Sequence, residues 1–177
     1  LIAIRRARVG EAAGIASVHV LTWRSAYAGI LPDEFLSSLS LARLTMHYER
    51  AIRTGLGVHV ASHASPFSGP AIVGFATARR AAPGAPGEGE IETLYVLDDW
   101  QDRGLGGQLL RSSAKHLAAQ GARSVFAWVL RDNPSHFFYQ HLGGRRIADG
   151  TTSVGGQSIP QTAYAWEPIT TLLDVNA

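Results

Sequence analysis

Cysteine is absent from the 177 residues, which excludes disulfide cross-links, thiolate metal sites and a cysteine nucleophile. Long apolar runs are missing as well. No stretch approaches the roughly 18 consecutive apolar residues that a membrane-spanning helix requires, and no secretory pattern opens the chain, so a cytoplasmic protein with no membrane partner is expected. Charge of one sign is scarce: the formal net charge is +2. The basic residues, all but Lys115 of them arginine, are scattered (Arg5, Arg6, Arg79, Arg80, Arg145, Arg146) rather than gathered on one face, so nucleic-acid binding is not expected. The sequence opens at Leu1 rather than Met, and an upstream residue or tag is expected. What remains, 46% hydrophobic and 17% charged residues, is the composition of a globular chain long enough to bury roughly two-thirds of its unfolded surface.

The hydrophobic pattern divides the chain into short elements. Residues 3–8 read as a strand. Residues 10–27 read as a helix with Ala12, Ile15, Ala16, His19, Val20 and Trp23 along one face, broken at Gly29 and Pro32. A second helical stretch starts at Asp33, and Ser40 is placed to cap a third that ends at Gly55. Strands at 57–63 and 71–79 flank the loop SPFSGP, and AAPGAPGEG reads as an exposed, mobile connection. A strand at 90–97, a helix at 105–120 and a strand at 123–130 follow. Asn133 then caps a short helix through Phe137, Phe138, Tyr139 and Leu142 that Gly143-Gly144 ends. Two further strands, 145–150 and 161–168, are separated by TTSVGGQSIP, with a few helical residues after them. The order β-α-α-β-β-β-α-β-α-β-β predicts a single α/β domain over residues 1–177 on a mixed sheet.

One junction stands out for chemistry. Gln101-Asp102-Arg103-Gly104-Leu105-Gly106-Gly107 joins the strand-like IETLYVL to the amphipathic helix after it. A strand-loop-helix corner aims unpaired N–H groups at one point, and glycines at 104, 106 and 107 remove Cβ atoms that would hold a bulky anion off. A phosphate or pyrophosphate cradle is predicted, against the alternative of a purely structural tight turn. Leu109 breaks G-x-G-x-x-G, and no G-K-[ST] follows. Because Asp98, Asp99 and Asp102 outnumber Arg103, an anion here is held by backbone donors.

The segment LYVLDDWQDRGLGGQLL resembles the donor-binding signature of the GNAT superfamily of acyl-CoA N-acyltransferases, [QR]-x-x-G-x-[GA], through Gln101, Gly104 and Gly106. WRSAYAGILPDEFL resembles a first-helix segment of one bacterial branch, NPSHFFYQHLGG the N-x-x-x-x-F-Y-x-x-L-G segment, and GGQSIPQTAYAW the closing strand pair, all in the family's order. The resemblance implies a mixed, mostly antiparallel central sheet of six to seven strands flanked by helices. It implies an acetyl-CoA-dependent N-acetyltransferase that passes an acetyl group to a primary amine by direct attack in a ternary complex. A non-catalytic acyl-CoA sensor is the alternative. The loop amides of Gln101, Asp102, Arg103, Gly104, Leu105, Gly106 and Gly107 would hold the coenzyme pyrophosphate. A homodimer is a further expectation, since many relatives are dimers.

Acyl transfer needs the amine deprotonated, the oxyanion stabilised and the leaving thiolate protonated. An alkylammonium with a pKa of about 10 does not lose its proton unaided. Glu90 and Glu92, two apart on one strand, are expected to share a face with Leu94 and Val96. Glu90 matches the family's strand-four glutamate and is preferred as base, directly or through water, with Glu92 second and near the acceptor. The resemblance further implies a strand bulge, the Leu94 N–H as oxyanion donor, and pantetheine paired along Leu94 and Val96. It makes Tyr139 the acid facing the sulfur, Asn133 a contact to pantetheine, and Trp23, Tyr27, Phe35 and Trp128 the lining of the acceptor pocket. Core packing for those aromatics, a plain cap for Asn133 and solvated carboxylates for the glutamates stand as the bland alternatives. His59 and His63 lie four apart on one strand, with no third ligand evident and no H-E-x-x-H. No metal is expected. The acceptor stays open: a polyamine, an amino acid derivative, an aminoglycoside-like drug or a protein N-terminus.

Overall fold

In the computed structural model, which describes residues 1–174, the β-branched and aromatic runs form seven strands. These are β1 (Ile2–Arg6), β2 (Gly57–Ser65), β3 (Gly69–Arg80), β4 (Gly89–Val96), β5 (Val125–Leu130), β6 (Arg145–Val154) and β7 (Gln157–Trp166). They make one sheet in the order β1-β2-β3-β4-β5-β7-β6. Every neighbouring pair is antiparallel except β4 and β5. The helices are α1 (Ala12–Ala26), α2 (Asp33–Ser37), α3 (Leu41–Arg53), α4 (Leu105–Ala119), α5 (Ser135–His141) and α6 (Thr170–Leu173).

Two faces of the sheet are covered by different helices. On one, Ile15, Ala16 and Val18 of α1 and Tyr48 and Ala51 of α3 pack on Val58, Val60 and Phe75. On the other, Leu110, Ala114 and Leu117 of α4 pack with Ile91, Val125, Ala127 and Trp166, and Leu105 and Leu109 with Ala61, Val73 and Ala76. Burying each such side chain contributes about 1.5–3 kcal/mol, and α4, at the parallel pair, joins the halves of the sheet. Leu31, Leu36, Tyr27 and Leu130 close a smaller cluster under the end of the β6–β7 hairpin with Phe35, Val154 and Ile159.

The expected elements are present with three differences. Three helices separate β1 from β2 where the order read from the sequence counts two, because the stretch from Asp33 is a helix of five residues in its own right. The segment TTSVGGQSIP is not a connection: β6 and β7 run through it to pair up to Val154↔Gln157, leaving Gly155-Gly156 as a two-residue turn with positive φ at both. SPFSGP likewise shortens to a hairpin end, with Ser65 paired to Gly69. The cap at Ser40 is made, its Oγ accepting from the Arg43 N–H at 3.2 Å. The Pro/Gly connection before β4 is pinned at its far end, where the Glu88 carboxylate accepts from the Arg123 N–H at 2.8 Å and from its guanidinium at 2.7 Å.

Candidate active site

Strand β4 is regular against β3 except at one point. Thr77 pairs with Thr93 and Ala78 with Ile91, so Glu92 has no partner and forms a bulge. Beyond the bulge β4 also loses its other neighbour. It pairs with β5 only at Gly89↔Val125, Glu90↔Phe126 and Ile91↔Ala127, after which the two strands diverge. The Leu97 N–H donates to Val73 O at 2.9 Å. Alternation along a strand therefore turns the N–H groups of Leu94 and Val96 the other way, toward the edge that β5 has left. The Val96 carbonyl on that edge accepts from Gln101 Nε2 at 3.1 Å.

The extra residue also changes which side chains share a face. Glu90, Glu92, Leu94 and Val96 are not on one side, as plain alternation predicts. Leu94 and Val96 pack toward Leu105 and Leu109 of α4, while Glu90 and Glu92 reach Arg79 and Thr93 meets Thr77 on the α1 side. A bulge inserts one residue and inverts the parity of everything after it.

At the end of this open edge lies the glycine loop. Asp102 and Gly104 sit at φ 58 and 75, and Gly104 is the N-cap of α4. Among the described residues, no backbone acceptor takes the N–H groups of residues 102–107, and the first paired amide is that of Gln108, bound to Gly104 O at 3.2 Å. Free donors at a helix start are what an anion cradle requires. The glycines also have packing and backbone roles. A Cβ on Gly106 would stand 3.1 Å from the Phe138 ring, and one on Gly107 would point at Arg111 and Leu142. Gly106 lets α5 approach α4 and Gly104 answers to a positive φ, whereas at Gly107 a Cβ would meet its neighbours at ordinary van der Waals distance. Arg103 adds no charge to the cradle directly: its guanidinium lies 4.8 Å over the Trp100 ring and donates to Asp99 O.

Between the diverging strands opens a cavity of about 250 Å³ with walls from both faces of the sheet, including Trp23, Tyr27, Glu92, Thr93, Leu94, Trp128, Asn133 and Tyr139. A larger cavity, about 470 Å³, lies between α5 and β7 and is lined by Arg131, His136, Gln140 and Arg146. It borders neither the unpaired strand edge nor the glycine loop. The smaller one has the chemistry.

Tyr139 is buried, packed against Tyr164 and Trp166. Burial, with a smaller contribution from Tyr27, drives its phenol well above the usual value, so it stays protonated. Asn133 is an internal clamp. Its Nδ2 donates to the Tyr27 hydroxyl at 2.9 Å, and its Oδ1 accepts from the Ser135 N–H and Oγ at 2.9 and 2.8 Å, which leaves one amide hydrogen for any ligand. Glu92 lines the cavity and is ion-paired with Arg79. Glu90 stands just outside the lining, half-buried, and burial followed by repulsion from Glu92 raises its pKa against the opposing pull of Arg79. His19 stacks on Trp23 at 5.2 Å and bonds the Tyr48 hydroxyl; burial and then His47 lower its pKa to about 4, so it is neutral. His59 and His63 share a face but part company, one beside His116 and the other against Trp100.

The cavity brings together Trp23, Tyr27, Glu92, Leu94, Trp128, Asn133 and Tyr139, all expected from the sequence, and Val96 and residues 102–107 follow the edge; the Gln101 amide, expected in the cradle, is instead given to Asp98 O at 3.2 Å, and it is the Gln101 side chain that reaches the edge. Sequence reasoning missed Thr93, Thr152 and Gln161 in the lining and Arg79 as partner of both glutamates. Only Arg79 left a trace, as a charge closing an apolar strand.

A model of the Acetyltransferase (GNAT) family matches residues 23–143, from the cavity's Trp23 to the glycine after α5. The chain belongs to that family. It is 30% identical over 172 residues to the uncharacterized N-acetyltransferase YuaI of Bacillus subtilis, covering 97% of this chain and 96% of YuaI. The GCN5-related N-acetyltransferase from Rhodopseudomonas palustris superposes with a TM-score of 0.70 at 24% identity, covering 93% of this chain and 94% of that one. PaiA N-acetyltransferase from Thermoplasma acidophilum, solved with coenzyme A, gives 0.67 at 19% identity over 94% and 99%. At those identities the two structures speak for the fold. The GNAT domain and the relatives together make this an acetyl-CoA-dependent acetyltransferase. The residues fit the donor: the free amides of 102–107 suit a pyrophosphate, and the unpaired edge at Leu94 and Val96 suits an extended amide-bearing arm. Among the described residues, no group of three or more His, Asp or Glu could hold a metal ion, and no helix is long and apolar enough to cross a membrane.

Proposed function

We propose that this GNAT acetyltransferase moves an acetyl group to a primary amine that enters between α1 and the β6–β7 hairpin, by direct attack. The observation that carries the reading is the unpaired β4 edge beside Glu92, continuous with the free amides at the start of α4. Acetyl-CoA, when bound, supplies an activated acyl thioester. The amides of residues 102–107 hold its diphosphate, and the Leu94 and Val96 edge binds its arm as an added strand would be bound. The Leu94 N–H then donates to the carbonyl oxygen as negative charge develops there, the kind of contact worth about 3 kcal/mol in the transition state.

The proton from the amine goes to Glu90 through water, since Glu90 is off the cavity wall while Glu92 is on it. A carboxylate with a raised proton affinity is the better base near neutral pH. Glu92 holds the ammonium form as it enters. Tyr139 donates a hydrogen bond to the departing sulfur; a phenol raised above about 10 stabilises a thiolate of pKa near 8.5 by that bond rather than by giving up its proton outright. The single-domain organisation, a cytoplasmic location and a homodimer belong to the same proposal.

The test is release of free thiol from acetyl-CoA against a panel of amines. Saturable coenzyme binding with no thiol from any amine would mean an acyl-CoA sensor and defeat the reading.

A further inference from the structure

The acceptor half of the cavity is selective in charge and shape, and the selection names a class of amine. This inference rests on the acetyl-transfer reading above. Trp23 and Tyr27 meet edge to face at 4.9 Å, Trp128 belongs to the same lining, and Phe35 backs Trp23 at 6.2 Å. The end is closed by the β6–β7 turn, where a Cβ on Gly155 would come within 3.1 Å of the Phe35 ring. Val154 and Leu130 complete an apolar end wall.

Charge is unevenly distributed. Glu92 is the one ionisable acid in the lining, and among the described residues no Arg, Lys or His lines the cavity. The nearby Arg79 is already bound to Glu92. An entering ammonium therefore meets a carboxylate and aromatic faces, both of which attract cations. A carboxylate on the same molecule would be desolvated beside Glu92 with no cation to pair with. A second ammonium at the far end would have only the faces of Trp23 and Tyr27, worth about 0.5–2 kcal/mol, and no acid in the lining to offset its loss of water. Either mismatch carries the cost of a buried unpaired charge. Size excludes more: about 250 Å³ is below the roughly 300–1,000 Å³ of pockets that hold drug-sized ligands, and the acetyl end shares it.

We propose that the acceptor is a small monoamine with an uncharged, ring-bearing apolar body. The amine nitrogen forms a C–N bond to the acetyl carbon as the C–S bond breaks. One proton leaves the nitrogen and one is taken up by the thiolate, so the products are the N-acetyl amine and the free thiol.

The experiment compares 2-phenylethylamine with phenylalanine, 1,4-diaminobutane and an aminoglycoside. Thiol release gives kcat/KM, and quenching of tryptophan fluorescence gives acceptor binding, because Trp23 and Trp128 face the cavity. The expected result is a kcat/KM for 2-phenylethylamine about 100-fold or more above that for phenylalanine, which has the same ring and an added carboxylate, and above that for the diamine. A Gln161→Arg variant, which brings a cation to the lining, should narrow the phenylalanine gap about 10-fold; the wild-type comparison decides the matter if that variant does not fold. Phenylalanine, the diamine or the aminoglycoside serving as well as 2-phenylethylamine overturns the acceptor class and leaves the transferase standing. Coenzyme binding with no thiol from any amine overturns both.

Discussion

The same pair of strands is closed at one end and open at the other. Where Gly89 and Ile91 of β4 face Val125 and Ala127 of β5, the seam is sealed under Leu110, Ala114 and Leu117, so tightly that a Cβ on Gly89 would stand 2.7 Å from Leu117. From Glu92 onward the ladder to β5 is gone and that edge is polar, unpaired and open to a ligand. One inserted residue separates the two conditions. Burial without loss of hydrogen bonds gives stability at the closed end; unpaired donors, which cost stability, give binding at the open end.

That contrast can be broken in stages. The largest effect belongs to the open end: Glu90→Gln should lower kcat/KM by about 10³-fold, near 4 kcal/mol, while leaving the unfolding midpoint close to wild type. Because the Glu90 pKa is raised by burial and by Glu92, the acid limb of the wild-type profile should sit above the ordinary carboxylate value of about 4.3, and the variant should lack it. The same shift has a signature in stability. The folded protein holds this proton more tightly, so the contribution is complete below the unfolded pKa and is lost as pH rises through the raised folded value. Denaturant titrations across that window should show the loss in wild type and not in Glu90→Gln.

Leu117→Ala, at the closed end, should reverse the pattern, costing about 3 kcal/mol of stability by urea titration with kcat/KM of the folded fraction nearly unchanged. Deleting Glu92 should move the boundary itself. Without it Ile91, Thr93 and Leu94 alternate without interruption, the ladder can extend, and coenzyme affinity measured by calorimetry should fall about 30-fold, near 2 kcal/mol, in a chain that still folds. Tyr139→Phe should slow thiol release about 10-fold when chemistry limits, near 1.4 kcal/mol; an unchanged rate would remove the tyrosine from the mechanism. The smallest effect is expected for Arg123→Gln. It cuts the exposed ion pair to Glu88, and any change in thermal midpoint should vanish in high salt.

Much of this was legible in the chain. Strand runs, the caps and the glycine loop follow from local chemistry. The failures have one origin. Periodicity placed Glu90, Glu92, Leu94 and Val96 on one face because a bulge has no side-chain signature. The same rule read TTSVGGQSIP as a loop, since its polar residues look loop-like until the partner strand is known. At Gly106 the missing Cβ also makes room for Phe138, about thirty residues further along the chain and adjacent only after α5 docks.

The sequence by itself determined where the strands and helices form and which loop offers free amides, because dihedral preference, capping and hydrophobic period act within a few residues. Only the tertiary structure decided that β4 should leave β5 after Ile91, that Arg79 should hold both glutamates, and that Trp23, Tyr27 and Trp128 should line one cavity. Those are relations between residues far apart in the chain, set by the packing of two helical layers on a sheet that one extra residue has forced open.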